Sequence, residues 1–161
     1  MAEAKAFHAH DHTGCRGAAL AHAEAVARDK GLRFTPVRRR ALEILLEEHR
    51  ALGAYDVLER LSADGFGAQP PVAYRALEFL VEHGFAHRIR RLNAFTACAH
   101  PGDAHAPAFF ICESCDSVAE APAEPVLTAL RKEAAHIGFT VSRMNIEAVG
   151  TCPACAAGSP A

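Results

Sequence analysis

The chain has 161 residues, of which 50% are hydrophobic and 22% are charged, and its formal net charge is −2. This composition supplies a packed core for one ordinary domain or two small ones and excludes a largely disordered chain. The apolar runs are short and interrupted by charge, and no basic segment followed by an apolar one opens the sequence, so we expect neither a signal peptide nor a membrane span.

The small net charge is divided unevenly along the chain. Residues 16–91 hold thirteen Lys or Arg and ten Asp or Glu, whereas residues 92–161 hold three basic and seven acidic residues. Because a partner responds to the local field rather than to the total charge, this asymmetry permits nucleic-acid binding by the N-terminal half without requiring it.

Residues 1–15 are expected to form a flexible tail. They mix alanine with His8, His10 and His12 and offer little that a core could bury. Alternating histidines can bind metal adventitiously, so a metal-buffering protein that uses this tail is one alternative function.

Four helices and a hairpin are predicted next. Apolar residues recur at helical spacing in each helix, prolines open the second and fourth, and glycine follows the first and fourth. Two β-prone runs then flank a three-residue turn, as in a hairpin. The predicted elements are helices at 18–30, 35–49, 54–61 and 70–83 and strands at 85–90 and 94–98. Three helices followed by a hairpin predict a winged helix-turn-helix, here preceded by an extra helix.

The C-terminal part mixes strands with a helix. The predicted elements are strands at 108–112 and 117–120, a helix at 126–136 and a long strand at 139–149. The predicted fold class is therefore α+β. We expect a winged-helix domain at 16–98, a hinge at 99–107 and an α/β domain at 108–161.

Four of the six cysteines lie in two C-x-x-C pairs, Cys112 with Cys115 and Cys152 with Cys155. In the reducing cytoplasm that we expect for this chain, such pairs bind metal more readily than they form disulfides. A two-residue gap lets both sulfurs of one turn face a single ion, and the second pair completes a tetrahedron, so we predict a structural zinc. The alternatives are two vicinal redox pairs, buried unligated thiols or an iron–sulfur cluster.

A second, mixed metal site is a further prediction. His87, Cys98, His105 and Glu120 are ordinary residues taken singly. However, Cys98 belongs to neither C-x-x-C pair, and Glu120 follows the first pair closely enough to turn back toward the hairpin. Two nitrogens, one sulfur and one oxygen suit zinc better than ferrous iron. His100 competes with His105 for the same role.

Candidate DNA contacts lie near the start of the fourth helix. Tyr74 and Arg75 occupy its exposed face, where arginine can reach guanine edges or phosphate and tyrosine can contact phosphate or a thymine methyl group. The triplet Arg38 to Arg40 opens the second helix, although charged residues on an amphipathic helix are usually only solvated.

Five short runs carry a resemblance to known proteins. They are Thr35-Pro36-x-Arg38, Ala54-Tyr55-Asp56, Pro70-Pro71-x-x-Tyr74-Arg75-Ala76-Leu77, Gly84-Phe85-x-His87 and Phe110-Ile111-Cys112-x-x-Cys115. Over residues 18–155 the chain resembles the ferric uptake regulator superfamily and, within it, the zinc uptake regulators. One departure is Val72-Ala73, which stands where the family usually has Thr-Val.

The resemblance implies a dimeric, zinc-responsive repressor without catalytic activity, whose C-terminal α/β domain dimerises. It implies two Zn²⁺ ions per chain, a structural ion on the two cysteine pairs and a regulatory ion at the hinge. The implied regulatory ligands are His87, Cys98, His105 and Glu120.

The implied partner is palindromic operator DNA upstream of zinc-uptake genes, contacted by Tyr74, Arg75 and Arg38. No membrane and no small-molecule substrate is expected. An iron or peroxide sensor of the same superfamily is an alternative, although the segment between Cys98 and Cys112 lacks the histidine-rich run typical of those proteins. A zinc-dependent hydrolase is a second alternative, and the chain lacks a paired-histidine helix motif such as H-E-x-x-H.

Overall fold

The computed structural model describes residues 12–48, 50–101 and 105–158. The helices are α1 (His12–Asp29), α2 (Pro36–Leu46), α3 (Ala54–Ala63), α4 (Pro70–Glu82), α5 (Glu124–His136) and α6 (Pro153–Ala156). The strands are β1 (Leu52–Gly53), β2 (Ala86–Ile89), β3 (Ala94–Ala97), β4 (Pro107–Cys112), β5 (Val118–Pro122) and β6 (Ile146–Gly150). None of the helices in these ranges is long and apolar enough to cross a membrane.

Elements α1 to β3 form the N-terminal lobe. Helices α2, α3 and α4 pack around one large core, and β1, β3 and β2 form an antiparallel sheet in that order. Leu45, Leu61, Leu77, Leu80 and Phe85 are among the fully buried side chains of this core. The predicted winged helix-turn-helix is confirmed, and the β2–β3 hairpin is its wing.

Local sequence signals set the ends of these helices. Pro36 opens α2 and Pro70 opens α4, positions where the missing N–H would have no partner inside the helix. The Asp56 carboxylate accepts from the Gly53 N–H at 3.0 Å and so caps α3. Gly84 ends α4 with φ +75°, a left-handed conformation that favours glycine.

Elements β4 to α6 form the C-terminal lobe. Its sheet has the order β5-β4-β6, in which β4 pairs antiparallel with β5 and parallel with β6. Helix α5 lies in the crossover between β5 and β6, and its Leu127 packs with Ala108, Ala123, Met144 and Ile146.

The two lobes share a small apolar cluster at the end of the wing. Ile89, the last residue of β2, is fully buried and packs against Phe109, Ile111 and Val118 of the C-terminal sheet. A bridge between Arg50 and Ser117 joins the lobes at a second point. The wing is therefore part of the lobe interface rather than a free hairpin.

The N-terminal region differs from the sequence expectation. Helix α1 begins at His12 rather than at Ala18, so its first turn lies within the segment 1–15 that we predicted as a tail, and residues 1–11 lie outside the described residues. Strand β1 was not predicted, because a two-residue strand exists only through its pairing with Phe95 and Ala94 of β3.

The predicted long strand at 139–149 is wrong in its first half. Only β6 is a strand, because its neighbour β4 begins at Pro107 and their pairing starts at Ala108 with Ile146. Upstream residues have no adjacent strand to bond, and a strand needs such a partner. The short helix α6 was also not predicted.

Candidate metal centres

The two C-x-x-C pairs meet at the far end of the C-terminal sheet. Cys112 ends β4 and Cys115 lies in the turn before β5, whereas Cys152 caps α6 and Cys155 lies inside it. The four sulfurs lie within 4.8 Å of one another, and those of Cys115 and Cys152 are 3.8 Å apart. Zinc–thiolate bonds of about 2.3 Å in a tetrahedron place sulfurs roughly 3.8 Å apart, so the spacing fits one zinc ion.

Backbone geometry and charge both favour a cation in this four-cysteine cluster. The tight turn at Asp116, with φ +57°, brings the Asp116 N–H to the Cys112 carbonyl at 3.0 Å. Amide donors of Cys152 and Ser114 lower the pKa of the Cys112 thiol to about 6, whereas the Cys152 and Cys115 thiols raise the pKa of Cys155 to about 12. Sulfurs this close cannot all carry charge by themselves, and a divalent cation offsets that repulsion.

The mixed cluster gathers donors from both lobes. His87 lies on β2, Cys98 directly follows β3, His105 precedes β4 and Glu120 lies on β5. Their donor atoms all lie within 4.8 Å of one another. His105 Nε2 is 3.4 Å from the Cys98 sulfur and 2.8 Å from Glu120 Oε1, and His87 Nε2 is 3.6 Å from Glu120 Oε2. The structure thus brings the four predicted regulatory residues together.

The donors of this mixed cluster suit a metal ion. His87 Nε2 is buried, and its contact with Glu120 Oε2 at 3.6 Å is too long for a hydrogen bond, which leaves a nitrogen that could coordinate an ion. Burial would raise the pKa of Glu120, but interactions with His87, the Ala99 N–H and His105 together hold it below its ordinary value. A partly buried carboxylate with a lowered pKa, beside two imidazoles and a thiol, is a donor set that zinc accepts.

His100 does not belong to this mixed cluster. Its ring lies 6.0 Å from the ring of His105, its side chain is exposed, and only its backbone N–H reaches the Cys98 sulfur, at 3.4 Å. Of the two histidines that competed in the sequence, the structure places His105 among the donors.

A solvent-open cleft of about 970 Å³ lies between the lobes and is lined in part by His87 and His105. It provides a path from bulk water to the mixed cluster. A site that must follow metal concentration needs such a path, whereas a permanently filled site does not.

The candidate DNA contacts are split between two environments. Tyr74 is 41% exposed on α4, and Arg75 is exposed beside it. Arg38 is half-buried, with its guanidinium 3.7 Å above the centre of the Phe79 ring. Its neighbours Arg39 and Arg40 form ion pairs with acidic residues of the N-terminal lobe. The DNA-contact roles stay predictions, and Arg38 has an alternative role in packing.

Glu147 is a residue that sequence reasoning missed. Its carboxylate accepts from the N–H groups of Arg90 and Arg91, at the tip of the wing, at 2.7 and 2.9 Å. Nothing local in the sequence marks it, because the contact depends on the register between β4 and β6.

Comparisons with known proteins agree with this geometry. A family model described as the ferric uptake regulator family matches residues 29–149. The zinc uptake regulation protein of Escherichia coli (strain K12) is 39% identical over 138 residues, which cover 84% of this chain and 80% of that protein. A solved zinc uptake regulator complexed with zinc and DNA has a TM-score of 0.84 at 36% identity and covers 89% of this chain and 96% of its own.

A further solved protein, XcZur, matches in two states. The holo structure has a TM-score of 0.76 at 34% identity, with coverage of 86% of this chain and 99% of its own. The apo structure has a TM-score of 0.50 at 33% identity, with coverage of 88% and 97%. The arrangement of this chain thus agrees with the holo structure better than with the apo one. From its motifs, its two donor clusters and these matches, the chain belongs to the ferric uptake regulator family and, within it, is similar to zinc uptake regulators.

Proposed function

We propose that this chain is a zinc-responsive transcriptional repressor that binds palindromic operator DNA as a homodimer and controls genes for zinc uptake. In this proposal each chain holds one structural and one regulatory Zn²⁺. The observation that carries the proposal is the mixed cluster, in which His87 comes from the wing and Glu120 from the C-terminal sheet, with all four donors within reach of one ion.

The mixed cluster couples the position of the N-terminal lobe relative to the C-terminal lobe to zinc binding. Zinc, when bound, would supply simultaneous bonds to an imidazole of the wing and a carboxylate of the C-terminal sheet. Donors held together in this way fix the wing against the sheet, which shifts the population of the molecule toward one arrangement of its lobes. The holo and apo structures of XcZur match this chain with TM-scores of 0.76 and 0.50, so that relative has different arrangements in its two states, which is what such a coupling requires.

The fixed arrangement matters because two recognition helices must reach one duplex together. If the lobes swing freely, DNA binding must supply the free energy that orders them, and the apparent affinity falls by the fraction of molecules in the competent arrangement. A ligand that favours the competent arrangement therefore tightens operator binding without touching the DNA.

The N-terminal lobe supports the DNA part of the proposal. Helix α4 presents Tyr74 and Arg75 on its exposed face, in the position of the recognition helix of a winged helix-turn-helix. A related zinc uptake regulator has been solved in complex with zinc and DNA. In our proposal Arg75 contacts a base edge or phosphate, and Tyr74 contacts phosphate or a thymine methyl group.

The C-terminal lobe supports the homodimer. Several of its large apolar side chains are exposed, and isolated chains rarely leave so many without a partner. They are Phe110, Val126, Leu130, Ile137, Phe139 and Val149. A second copy of the chain would cover this surface and set the spacing of the two recognition helices.

The alternative of a zinc hydrolase is not supported. Members of this family are transcription regulators rather than enzymes. In addition, four protein donors around one ion leave no open position for the water that a catalytic zinc needs.

The deciding experiment is a gel-shift titration of a palindromic, AT-rich operator against buffered free zinc. We expect tight binding of two chains per operator at high free zinc and weak binding under chelation. An operator affinity that does not change with free zinc would contradict the regulatory part of the proposal. The absence of operator binding at every zinc level would contradict the whole proposal.

The same titration with ferrous iron and peroxide tests the sibling alternative. We expect zinc to displace ferrous iron from the mixed cluster, because its nitrogen, sulfur and oxygen donors favour zinc. If iron or peroxide changes operator binding at free zinc levels that leave it unchanged, the chain belongs to the iron- or peroxide-sensing class.

A further inference from the structure

Glu147 makes a contact between the lobes that contains no predicted metal ligand. Its two carboxylate oxygens accept one N–H each, from Arg90 at 2.7 Å and from Arg91 at 2.9 Å. The side-chain amide of Asn145 donates to Glu147 Oε1 at 2.8 Å and so fixes the carboxylate from its own strand side. Interactions with Asn145 and with the two wing amides hold the pKa of Glu147 below its ordinary value although partial burial would raise it.

The sheet register explains why Glu147 faces the wing. Phe109 of β4 pairs with Glu120 of β5 on one side and with Glu147 of β6 on the other. Residues directly opposite each other on neighbouring strands lie on the same face of a sheet, so the three side chains form one row. The ring of His87 lies 5.2 Å from the ring of Phe109, which shows that this row faces the wing.

The two carboxylates of this row hold opposite ends of the wing. Glu120 accepts from the Ala99 N–H at 3.0 Å, at the base of the hairpin just after β3. Glu147 accepts from Arg90 and Arg91, at the tip just after β2. Between these ends, Ile89 is buried against the C-terminal sheet. The base of the wing is thus held by a predicted metal ligand, Glu120, whereas the tip is held by Glu147, which is not one.

We propose that Glu147 is a positioning residue for zinc sensing: it is a latch that docks the tip of the wing on the C-terminal sheet before the regulatory metal binds. This inference rests on the proposed function, because it needs a zinc-dependent change in operator binding to act on. The latch raises the fraction of chains whose mixed-cluster donors are already close together, so less free zinc is needed to reach half-maximal operator binding.

The test is Glu147→Gln in the full chain, compared with wild type in the zinc-buffered gel shift. The amide replaces one of the two acceptor oxygens by a donor that faces the wing N–H groups, so one hydrogen bond is lost. We expect the free zinc at half-maximal operator binding to rise about three- to tenfold, the size expected for the net loss of one ordinary hydrogen bond at a partly exposed site. Operator affinity at saturating zinc is expected to equal that of wild type.

The matched control is Glu124→Gln, which removes the same charge from the same lobe. The side chain of Glu124 at the start of α5 is 75% exposed, contacts Arg131 at 3.9 Å, and lies on a different face of the helix from the exposed Val126 and Leu130. We expect a wild-type zinc response from it. Amide hydrogen exchange at Arg90 and Arg91 gives a direct readout of the latch, and it is expected to speed up in Glu147→Gln but not in Glu124→Gln.

Three outcomes would overturn the latch. The first is an unchanged zinc midpoint in Glu147→Gln. The second is a lower affinity at saturating zinc with a normal midpoint, which would indicate a merely structural role. The third is an equal midpoint shift in Glu124→Gln. These require a wild-type protein that responds to zinc. A wild-type protein without that response overturns the proposed function first, so the two failures are distinguishable.

Discussion

The two donor clusters contrast in where their ligands originate. The four-cysteine cluster takes its sulfurs from two turns of the C-terminal lobe and lies where β4 and α6 end. The mixed cluster takes its donors from β2, the segment between β3 and β4, and β5, and so spans both lobes. An ion in the first can stabilise only one lobe, whereas an ion in the second fixes one lobe relative to the other. In the proposed function, position in the fold, rather than donor chemistry alone, separates the structural role from the regulatory one.

The two clusters also differ in solvent exposure, although less sharply. In the four-cysteine cluster Cys112 and Cys152 are buried and Cys115 and Cys155 are half-buried, whereas the mixed cluster has one buried member, Cys98, and one exposed member, His105. The mixed cluster borders the open cleft between the lobes. We therefore expect slow metal exchange in the first cluster and fast exchange in the second.

The largest effect is expected from Cys152→Ser, which removes a predicted ligand of the four-cysteine cluster. Structural zinc contributes about 10–16 kcal/mol of apparent binding free energy, comparable with the whole stability of a domain, so we expect the C-terminal lobe to lose its fold. Zinc content, circular dichroism and size-exclusion chromatography measure this. A folded dimer that retains both zinc ions would show that this cluster is not a structural zinc site.

Cys98→Ser sharpens the contrast, because it removes a predicted ligand of the mixed cluster alone. We expect a folded protein with one zinc per chain and zinc-dependent operator binding weakened by at least about 100-fold, because loss of even an outer-shell partner of a metal ligand costs about 10–100-fold. The control is His100→Ala, since the exposed ring of His100 lies outside the donor set. A wild-type zinc response in Cys98→Ser would remove Cys98 from the sensor.

Ile89→Val tests the apolar contact between the lobes without touching either cluster. Loss of one buried methylene from a fully buried isoleucine is expected to cost about 1 kcal/mol. Urea unfolding should show the loss, while zinc content stays at the wild-type level. An unchanged unfolding midpoint would contradict the tight packing of the wing end against the C-terminal sheet.

The smallest effect is expected from Glu48→Gln, within an ion-pair network of the N-terminal lobe that contains no predicted metal ligand. Hydrogen bonds from Arg60, followed by Arg50, hold the pKa of Glu48 below its ordinary value despite partial burial. Because the folded pKa is the lower one, the stabilisation is present above the unfolded pKa and is lost as the pH falls through the folded pKa.

Wild type should therefore exceed Glu48→Gln in stability by less than about 1 kcal/mol at pH 7, and the difference should vanish in acid. Urea midpoints of the two proteins at several pH values measure it. A difference that grows on acidification would contradict this assignment, and a changed zinc response would show that the network is coupled to the sensor.

The sequence predicts what depends on neighbouring residues and fails where a distant partner decides. Helices α2 to α4 and the hairpin follow from proline, glycine and apolar spacing, and the C-x-x-C pairs follow from their own turns. Strand β1 could not be predicted, because two residues become a strand only beside β3. The end of β6 toward Ile146 is likewise set by β4.

The same limit applies to the site residues. Convergence of His87, Cys98, His105 and Glu120 was predicted from chemistry and resemblance, since no single spacing implies it. Arg38 looked like a free basic residue, but its contact with Phe79 depends on the packing of α2 on α4. Glu147 was missed because its partners are backbone amides, which carry no sequence signature.

The parallel pairing of β4 with β6 has a consequence for biosynthesis. Cys152 lies 37 residues after Cys115, and the crossover through α5 comes between them. During synthesis the N-terminal lobe can fold early, since domains generally fold as units from the N-terminus. The four-cysteine cluster cannot close until β6 and α6 have left the ribosome. Until then a nascent chain presents the first C-x-x-C pair without the second, together with an unpaired edge of β4, and an ion held by all four sulfurs can bind only after both pairs have emerged.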